Sequence, residues 1–317
     1  MGIMNVPGSL LIGDDFAEYM QASETAAKVV PAQNYRDALK RALFAPPAEM
    51  PSGLPWSKTL DQIRFRRGEV SLWAGANNSG KSMLLSHVVL GFLRQGERAC
   101  IASFEMKPIK QLERMSRQVA QGPRPSDSSV DRMLDWLAGK LWFYDQQGTV
   151  RPEMVYAVCR YVADKHKARH VVIDSLMKCV RGADDYNAQK DFVDELTALA
   201  RDLDIHIHLV HHIKKPDDEG KVPGRYDAKG AGEISDQVDN VFMVWRNKPK
   251  ERIADREARG EAISEKESKT LAAAPDVLLV CDKQRNGDWN GAVSLWFHAG
   301  ALQYCADSHC RPSELIE

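Results

Sequence analysis

The sequence predicts an α/β fold, with a mostly parallel central sheet, an antiparallel edge and a short N-terminal arm. Three observations carry this. Short apolar runs of strand length alternate with helical stretches from residue 70 to residue 210, the order that a parallel sheet with crossover helices requires. A glycine-bearing loop, Gly75 to Ser82, joins the first of these runs to a helix. The last apolar runs, ending with residues 292–297, lie close together, as strands of an antiparallel edge do.

Residues 1–60 are rich in Ala and Pro and carry one amphipathic helix, residues 35–44. Pro46-Pro47 and Pro51-Ser52-Gly53 then break the pattern. This stretch is too short to bury a core and reads as an arm and linker; one large domain is expected over 61–304 and a tail over 305–317. Residues 70–74 form a short apolar strand, and residues 83–93 a helix that is apolar on most sides and closed by Gly96. Further buried strands are expected at 99–104, 141–144, 170–174, 205–210, 240–245, 277–281 and 292–297. Residues 248–269 mix both charge signs densely and read as a solvated helix or a mobile insertion.

Composition narrows the classes. The 317 residues are 44% hydrophobic and 27% charged, with a net charge of −1. A field that weak does not draw a whole protein onto nucleic acid, so any such contact has to come from a local basic surface. The six cysteines include no C-x-x-C pair. Cys305, His309 and Cys310 lack the spacing of a structural zinc site, and reduced thiols are the better account. No apolar run approaches the ~20 residues of a membrane span. Residues 1–11 lack the features of a signal peptide. A soluble, cytoplasmic protein with no membrane partner is expected.

Gly75-Ala76-Asn77-Asn78-Ser79-Gly80-Lys81-Ser82 matches G-x-x-x-x-G-K-S in full. Glycines at both ends let the backbone curl so that successive amides point at phosphate oxygens, and the following helix turns its positive end to the same anion. Lys81 is placed to reach β- and γ-phosphates and the Ser82 hydroxyl to ligate magnesium. The expected ligand is ATP with Mg2+.

Two acids complete the pattern. Asp174 ends the run His170-Val171-Val172-Ile173, at the carboxyl edge where parallel sheets bind ligands. It suits a magnesium-holding carboxylate, although a helix N-cap also fits Asp there. Glu105 follows the strand after the glycine-loop helix, where it is either a water-activating base or a surface acid.

Phe104-Glu105-Met106, Val172-Ile173-Asp174-Ser175-Leu176-Met177-Lys178 and Asp282-Lys283-Gln284-Arg285-Asn286-Gly287 together resemble the replicative ring helicases: the DnaB-like group, phage primase–helicases and the mitochondrial Twinkle helicase. The likeness runs from about residue 53 to residue 302. It implies a RecA-like P-loop ATPase core that assembles into a ring, a hexamer, around single-stranded DNA, travels 5′ to 3′ in replication and works with a primase or loader. It also implies that Arg285 is an arginine finger reaching a neighbour's ATP, with Lys283 beside it. A basic hairpin turn at Asn286-Gly287 is the alternative. His212 falls at the position of a γ-phosphate sensor. His206 and His208 alternate on a strand and read as packed or hydrogen-bonded core residues.

By the same resemblance two loops face the channel and its DNA. One carries Lys178, Arg181 and Lys190, the other Lys214, Lys215, Lys221, Arg225 and Lys229, with Asp217, Asp218 and Glu219 among them. Solubilising lysines are the other reading of these loops. Lys229 stands where many relatives have arginine. The sequence carries no zinc-ribbon or primase domain and no full amino-terminal collar domain. The helix at 35–44 is a candidate for contact with an adjacent subunit or with its own domain. Two other functions fit the residues as well: a recombination ATPase that binds single strands without unwinding, and a nucleotide-gated adaptor or loader.

Overall fold

Runs of Val, Ile and Leu flanked by glycine turns build the centre of the molecule. The computed structural model describes residues 31–44, 50–180, 185–213, 218, 220–224 and 231–316. The chain divides into two units, Met1–Met50 and Pro51–Glu317. In the first, a 3-10 turn over Ala32–Tyr35 leads into helix α1, Arg36–Phe44. Tyr35, Leu39 and Leu43 recur every four residues, so they share one helix face, and with Phe44 they are exposed.

The second unit opens with β1 (Ser52–Gly53) and β2 (Arg64–Phe65), a small antiparallel pair. Then follow β3 (Val70–Gly75), α2 (Lys81–Arg94), β4 (Ala99–Ser103), α3 (Pro108–Ala120), α4 (Asp127–Leu137), β5 (Leu141–Phe143) and α5 (Pro152–Lys165). The chain continues through β6 (His170–Asp174), α6 (Leu176–Cys179), α7 (Tyr186–Leu203), β7 (His206–His212), α8 (Ala231–Gln237) and β8 (Asn240–Arg246). It ends with α9 (Lys248–Ala258), α10 (Glu265–Ala273), β9 (Val277–Gln284), β10 (Gly291–His298) and β11 (Gln303–Cys305).

Among the described residues, nine strands form one sheet in the order β11-β10-β9-β8-β3-β7-β6-β4-β5. From β8 to β5 every pairing is parallel, and β9, β10 and β11 add the antiparallel edge. Strands β3, β4 and β6 are buried at every position, as a sheet covered on both faces demands. Side chains alternate between two cores. Val70, Leu72 and Ala74 meet α5, α7 and α8 through residues such as Val155, Phe192 and Ile234. Trp73 faces the other way, onto α2 and the aromatic residues Phe65 and Phe242.

Two boundaries differ from the sequence reading. The large unit begins at Pro51 rather than at 61, because Leu54 and Trp56 are buried in its core and the Trp56 indole donates to Tyr304 O at 2.6 Å. Residues beyond 304 belong to the same body: β11 pairs with β10, and Leu315 and Ile316 are buried. The charged stretch after β8 is two capped helices. They break at Gly260, whose φ of +77° suits glycine. Ser264 and Glu267 form a capping box, and Arg256 bridges to Glu267 at 2.6 Å.

A histidine layer lies inside the second core. His170, His206 and His208 are buried; His170 and His208 stack on Phe92 and on each other, and His206 lies tilted against His208. Their tautomers follow from the partners. The Trp73 indole N–H donates to His208 Nδ1 at 3.2 Å, so His208 carries its proton on Nε2 and gives it to His170 Nδ1 at 3.0 Å. His170 then donates from Nε2 to Ser52 Oγ at 3.4 Å. His206 donates from Nδ1 to Arg66 O and accepts from Ser71 Oγ. Each ring is therefore neutral. His206 and His208 are hydrogen-bonded core residues, as their alternation on β7 predicted, and His170 joins them from β6.

This burial has a pH cost. It pushes the imidazoles of His206 and His87 down, to about 4 and about 3, and those of His170 and His208 well below the ordinary 6.5. Above pH 6.5 these residues are neutral in both states and the stability is fully present; below it the unfolded chain takes up protons that the folded one refuses. Between pH 7 and pH 5.5 each histidine is expected to remove about 1.2 kcal/mol of stability, so about 5 kcal/mol for the four. Urea unfolding at the two pH values measures this, and a flat midpoint would contradict the neutral layer.

Candidate functional site

The phosphate loop owes its shape to crowding. Strand β3 lies between β7 and β8, and at its end a Cβ on Gly75 would come within 2.6 Å of Val244 O and 2.7 Å of Ser79 Oγ. Gly80 has φ +91°, and a Cβ there would meet Tyr304 Oη at 2.6 Å. Both terminal glycines of the motif are thus sterically required. Between them Ala76, Asn77, Asn78 and Ser79 form the turn, closed by Ser79 N donating to Ala76 O at 3.1 Å.

Lys81, at the start of α2, is only 5% exposed. Its ammonium donates to Gly75 O and Ala76 O, each at 2.9 Å. Burial pushes it down to about 8, against the pull of Asp174 and Glu105. The Ser79 hydroxyl is buried with no hydrogen-bond partner. A cradle with a desolvated cation and an orphaned hydroxyl is suited to phosphate oxygens.

Ser82 Oγ donates to Asp174 Oδ2 at 2.6 Å. Asp174 is 3% exposed, and burial pushes its carboxyl up, opposed by the Ser82 hydrogen bond. A hydroxyl and a carboxylate oxygen are hard donors that fit Mg2+. Glu105 follows β4, where Phe104 N donates to Asp174 O at 2.7 Å and ties the two strand ends together. Glu105 Oε1 accepts from Ser175 Oγ at 2.8 Å and lies 3.6 Å from His212 Nε2. The facing His212 imidazole is the main cause that holds this carboxyl down at about 2; Ser175 adds to it and burial opposes it. His212 reaches the site because β7 pairs it with Gly75.

Lys81, Ser82, Asp174, Glu105 and His212 are therefore gathered at the carboxyl edge of the parallel strands. The cleft over them has a volume of about 1460 Å³. Arg114, Arg246 and Lys248 also line it, and Arg246 donates to Asn78 O at 3.2 Å. Sequence reasoning missed these three, along with Ser175. Ser175 stands beside Asp174 and its polar side chain was a usable signal. The three cations come from α3, β8 and α9, so nothing in their local sequence ties them to the loop.

Arg285 and Lys283 lie elsewhere. Gln284 pairs with Asn240, the first residue of β8, and Arg285 N donates to Asp239 O. Asp239 N in turn donates to Val70 O. This is the amino edge, and the five intervals of β3 from Val70 to Gly75 put it ~17 Å from the phosphate loop. Arg285 Nη1 meets Asp239 Oδ1 at 3.3 Å. Lys283 Nζ donates to Ser235 O, Asp236 O and Val238 O at the end of α8.

Lys178 sits on α6 and lines the cleft, and Lys190 on α7 is 3.8 Å from Glu233. Lys221 is exposed. Arg181, Lys214, Lys215, Arg225 and Lys229 lie outside the described residues. No described helix is long and apolar enough to cross a membrane.

Comparison with known proteins bears on the family and the fold. A family model described as an AAA domain matches residues 48–218, more than half of the chain. The replicative DNA helicase DnaB of Helicobacter pylori strain 26695 is 23% identical over 249 residues, which cover 72% of this chain and 50% of the helicase. Its counterpart in strain J99 is 22% identical over the same coverage. The chain thus spans about half the length of the curated relatives it matches. Among solved structures, one that is described as an ATPase domain superposes with a TM-score of 0.67 at 16% identity, over 87% of this chain and 98% of that one. The structure of a DnaB-like replicative helicase, described with its interactions with primase, gives 0.63 at 16% identity over 93% and 73%. On the family match and this geometry, the chain belongs to the AAA domain family and has the RecA-like fold of DnaB-like helicase ATPase domains.

Proposed function

We propose that this chain is the ATP-hydrolysing motor of a ring-forming DNA helicase that translocates on single-stranded DNA in replication. One observation carries the reading. The phosphate cradle and both carboxylates share the carboxyl edge of the sheet, whereas Arg285 is held at the amino edge. An arginine ~17 Å from its own phosphate loop does not reach the nucleotide of its own chain, so as a finger it would serve one on another subunit. A ring of copies, a hexamer by likeness to the family, supplies such a neighbour.

Lys81, Ser79 and the loop amides would hold the phosphates of ATP, and Ser82 and Asp174 would hold Mg2+. Held there, the metal would supply charge neutralisation for phosphoryl transfer. Glu105 takes the proton of the attacking water at its carboxylate. With His212 and Ser175 holding it down, that carboxylate is a weak base, and turning His212 toward phosphate instead would make it a stronger one. Arg285 of the next subunit stabilises the charge that develops. Lys178, Arg181, Lys214, Lys215, Arg225 and Lys229 are proposed to track the DNA backbone, travelling 5′ to 3′ by likeness to the family. A primase or loader is a proposed partner. The exposed stripe of α1 is proposed to pack on an adjacent subunit.

ATP hydrolysis by the purified chain, with and without single-stranded DNA, tests the motor. DNA is expected to stimulate turnover, and Arg285→Ala to lower it about 10³-fold while ATP binding stays intact. Activity indifferent to both DNA and Arg285 would sink the helicase reading.

The Lys81 ammonium gives a second test. It stands at about 8 in the free protein, and a bound phosphate favours its charged form, so binding raises that value. Below pH 8 the lysine is already charged and affinity for ADP should be level. Above it, binding takes up a proton and affinity falls by up to about tenfold per pH unit. Calorimetric titration from neutral to alkaline pH should show this slope in the native chain and not in Lys81→Met.

A further inference from the structure

The phosphate loop is braced by β11, a strand with no residue among the described ones that line the cleft. Gly80 closes the loop at the N-cap of α2 and has no side chain with which to fix that end. Its backbone is left-handed, with φ +91°, and glycine visits other conformations as readily. Tyr304 of β11 lies against it. The Tyr304 hydroxyl donates to Gly80 O at 3.4 Å, and a Cβ on Gly80 would come within 2.6 Å of that same hydroxyl oxygen. Gly80 O also accepts from Leu84 N at 2.8 Å, the first bond of α2, so both of its lone pairs are engaged. The Gly80 carbonyl and the Lys81 N–H belong to one planar peptide unit. That N–H is among those that the first turn of a helix leaves without an internal partner. Holding the oxygen therefore sets the direction of an amide suited to phosphate.

Tyr304 is itself fixed on three sides. Its N–H donates to His87 Nδ1 on α2 at 3.2 Å, its carbonyl accepts from the Trp56 indole at 2.6 Å, and its ring packs on Phe297 with centroids 5.1 Å apart. Beside it, Gln303 is fully buried and donates to Gln118 O at 2.6 Å and to Ser313 O at 2.8 Å. Tyr304 is buried and stands outside the cleft lining. A nucleotide in the cleft would therefore feel it only through the loop.

We propose that Tyr304 is a positioning residue for phosphate binding: its hydroxyl, anchored through Trp56 and His87, holds Gly80 and the Gly80–Lys81 peptide in the binding geometry before a nucleotide arrives. A loop set in advance loses less freedom when the ligand binds, which favours affinity. This rests on the reading of the loop as an ATP site.

The test compares the full chain with Y304F, which deletes the hydroxyl and keeps the ring, and with W56F, which withdraws the donor to Tyr304 O and keeps the hydroxyl. Three quantities are read: hydrogen exchange of amides 80–84 without ligand, the calorimetric Kd for Mg-ADP, and the thermal midpoint. Y304F is expected to speed the exchange and to weaken ADP binding about three- to tenfold, with the midpoint within about 3 °C of the native one. W56F should move exchange and affinity in the same direction. With ATP, KM should rise in Y304F while kcat holds, because the contact is the same in the ground and transition states. Native ADP affinity in Y304F would overturn the proposal even if exchange quickens, since a contact that only supports packing leaves binding alone. Weaker binding with unchanged exchange would overturn it as well. If Y304F does not fold, W56F is judged by the same two quantities. If even the native chain binds no ADP, the ATP reading fails, and exchange alone judges the brace: quicker in Y304F upholds it, unchanged overturns it.

Discussion

Parallel pairing of β3 with β7 and β8 is the constraint on which the rest depends. It sets Gly75 opposite His212 and brings Val244 O so close that no Cβ fits at Gly75. The chain must leave the sheet there by a glycine turn, and the turn aims Lys81 and the start of α2 back over the strand ends. The next parallel pairings, β7 with β6 and β6 with β4, carry Asp174 and Glu105 to the same edge. Asp174 and His212 end their strands and Glu105 follows β4 by two residues, so this part of the site inherits the rigidity of the core rather than of its loops. Ser175 extends this inward: a fully buried hydroxyl fixes the Glu105 carboxylate at 2.8 Å.

Rigidity of this kind has a polar component. A sheet this crowded would ordinarily be filled with aliphatic side chains, yet its second core holds a stack of neutral imidazoles. Their hydrogen bonds run in one direction, from Trp73 through His208 and His170 to Ser52, and Ser52 Oγ donates to Glu97 at 3.3 Å. Every donor in that chain has one acceptor, so a single tautomer set satisfies it. A buried network that is fully paired specifies one packing, whereas a partly paired one is costly. The stack thus fixes β6 and β7, which carry Asp174 and His212 at their far ends.

Much of this was legible in the sequence, and for identifiable reasons. Buried parallel strands are short continuous apolar runs, so the order of strands and the carboxyl-edge acids could be read directly. The glycine loop could be read because its residue types are dictated by phosphate geometry. The boundaries at residues 51 and 316 were less visible. Trp56, Leu315 and Ile316 belong to the core only through contacts made across the whole chain, which no local pattern encodes. Arg114, Arg246 and Lys248 were hidden for the same reason. The charged stretch after β8 looked like a solvated or mobile insertion because its helices bury nothing; their caps and internal ion pairs give them definition without a hydrophobic face.

The two edges of the sheet then divide the work between them. The phosphate loop and both carboxylates stand at one edge, and Arg285 stands at the other, tied to Asp239. That separation keeps Arg285 away from the phosphate loop of its own chain. It also sets what holds each part. A strand of β3's length, buried at all six positions, is held by pairing on both sides, whereas elements at the rim are held by side chains. The end of α8 is such an element, because it is held to the β9–β10 turn by side-chain hydrogen bonds rather than by sheet pairing. The fold thus keeps the phosphate loop and the two carboxylates on its sheet-paired part.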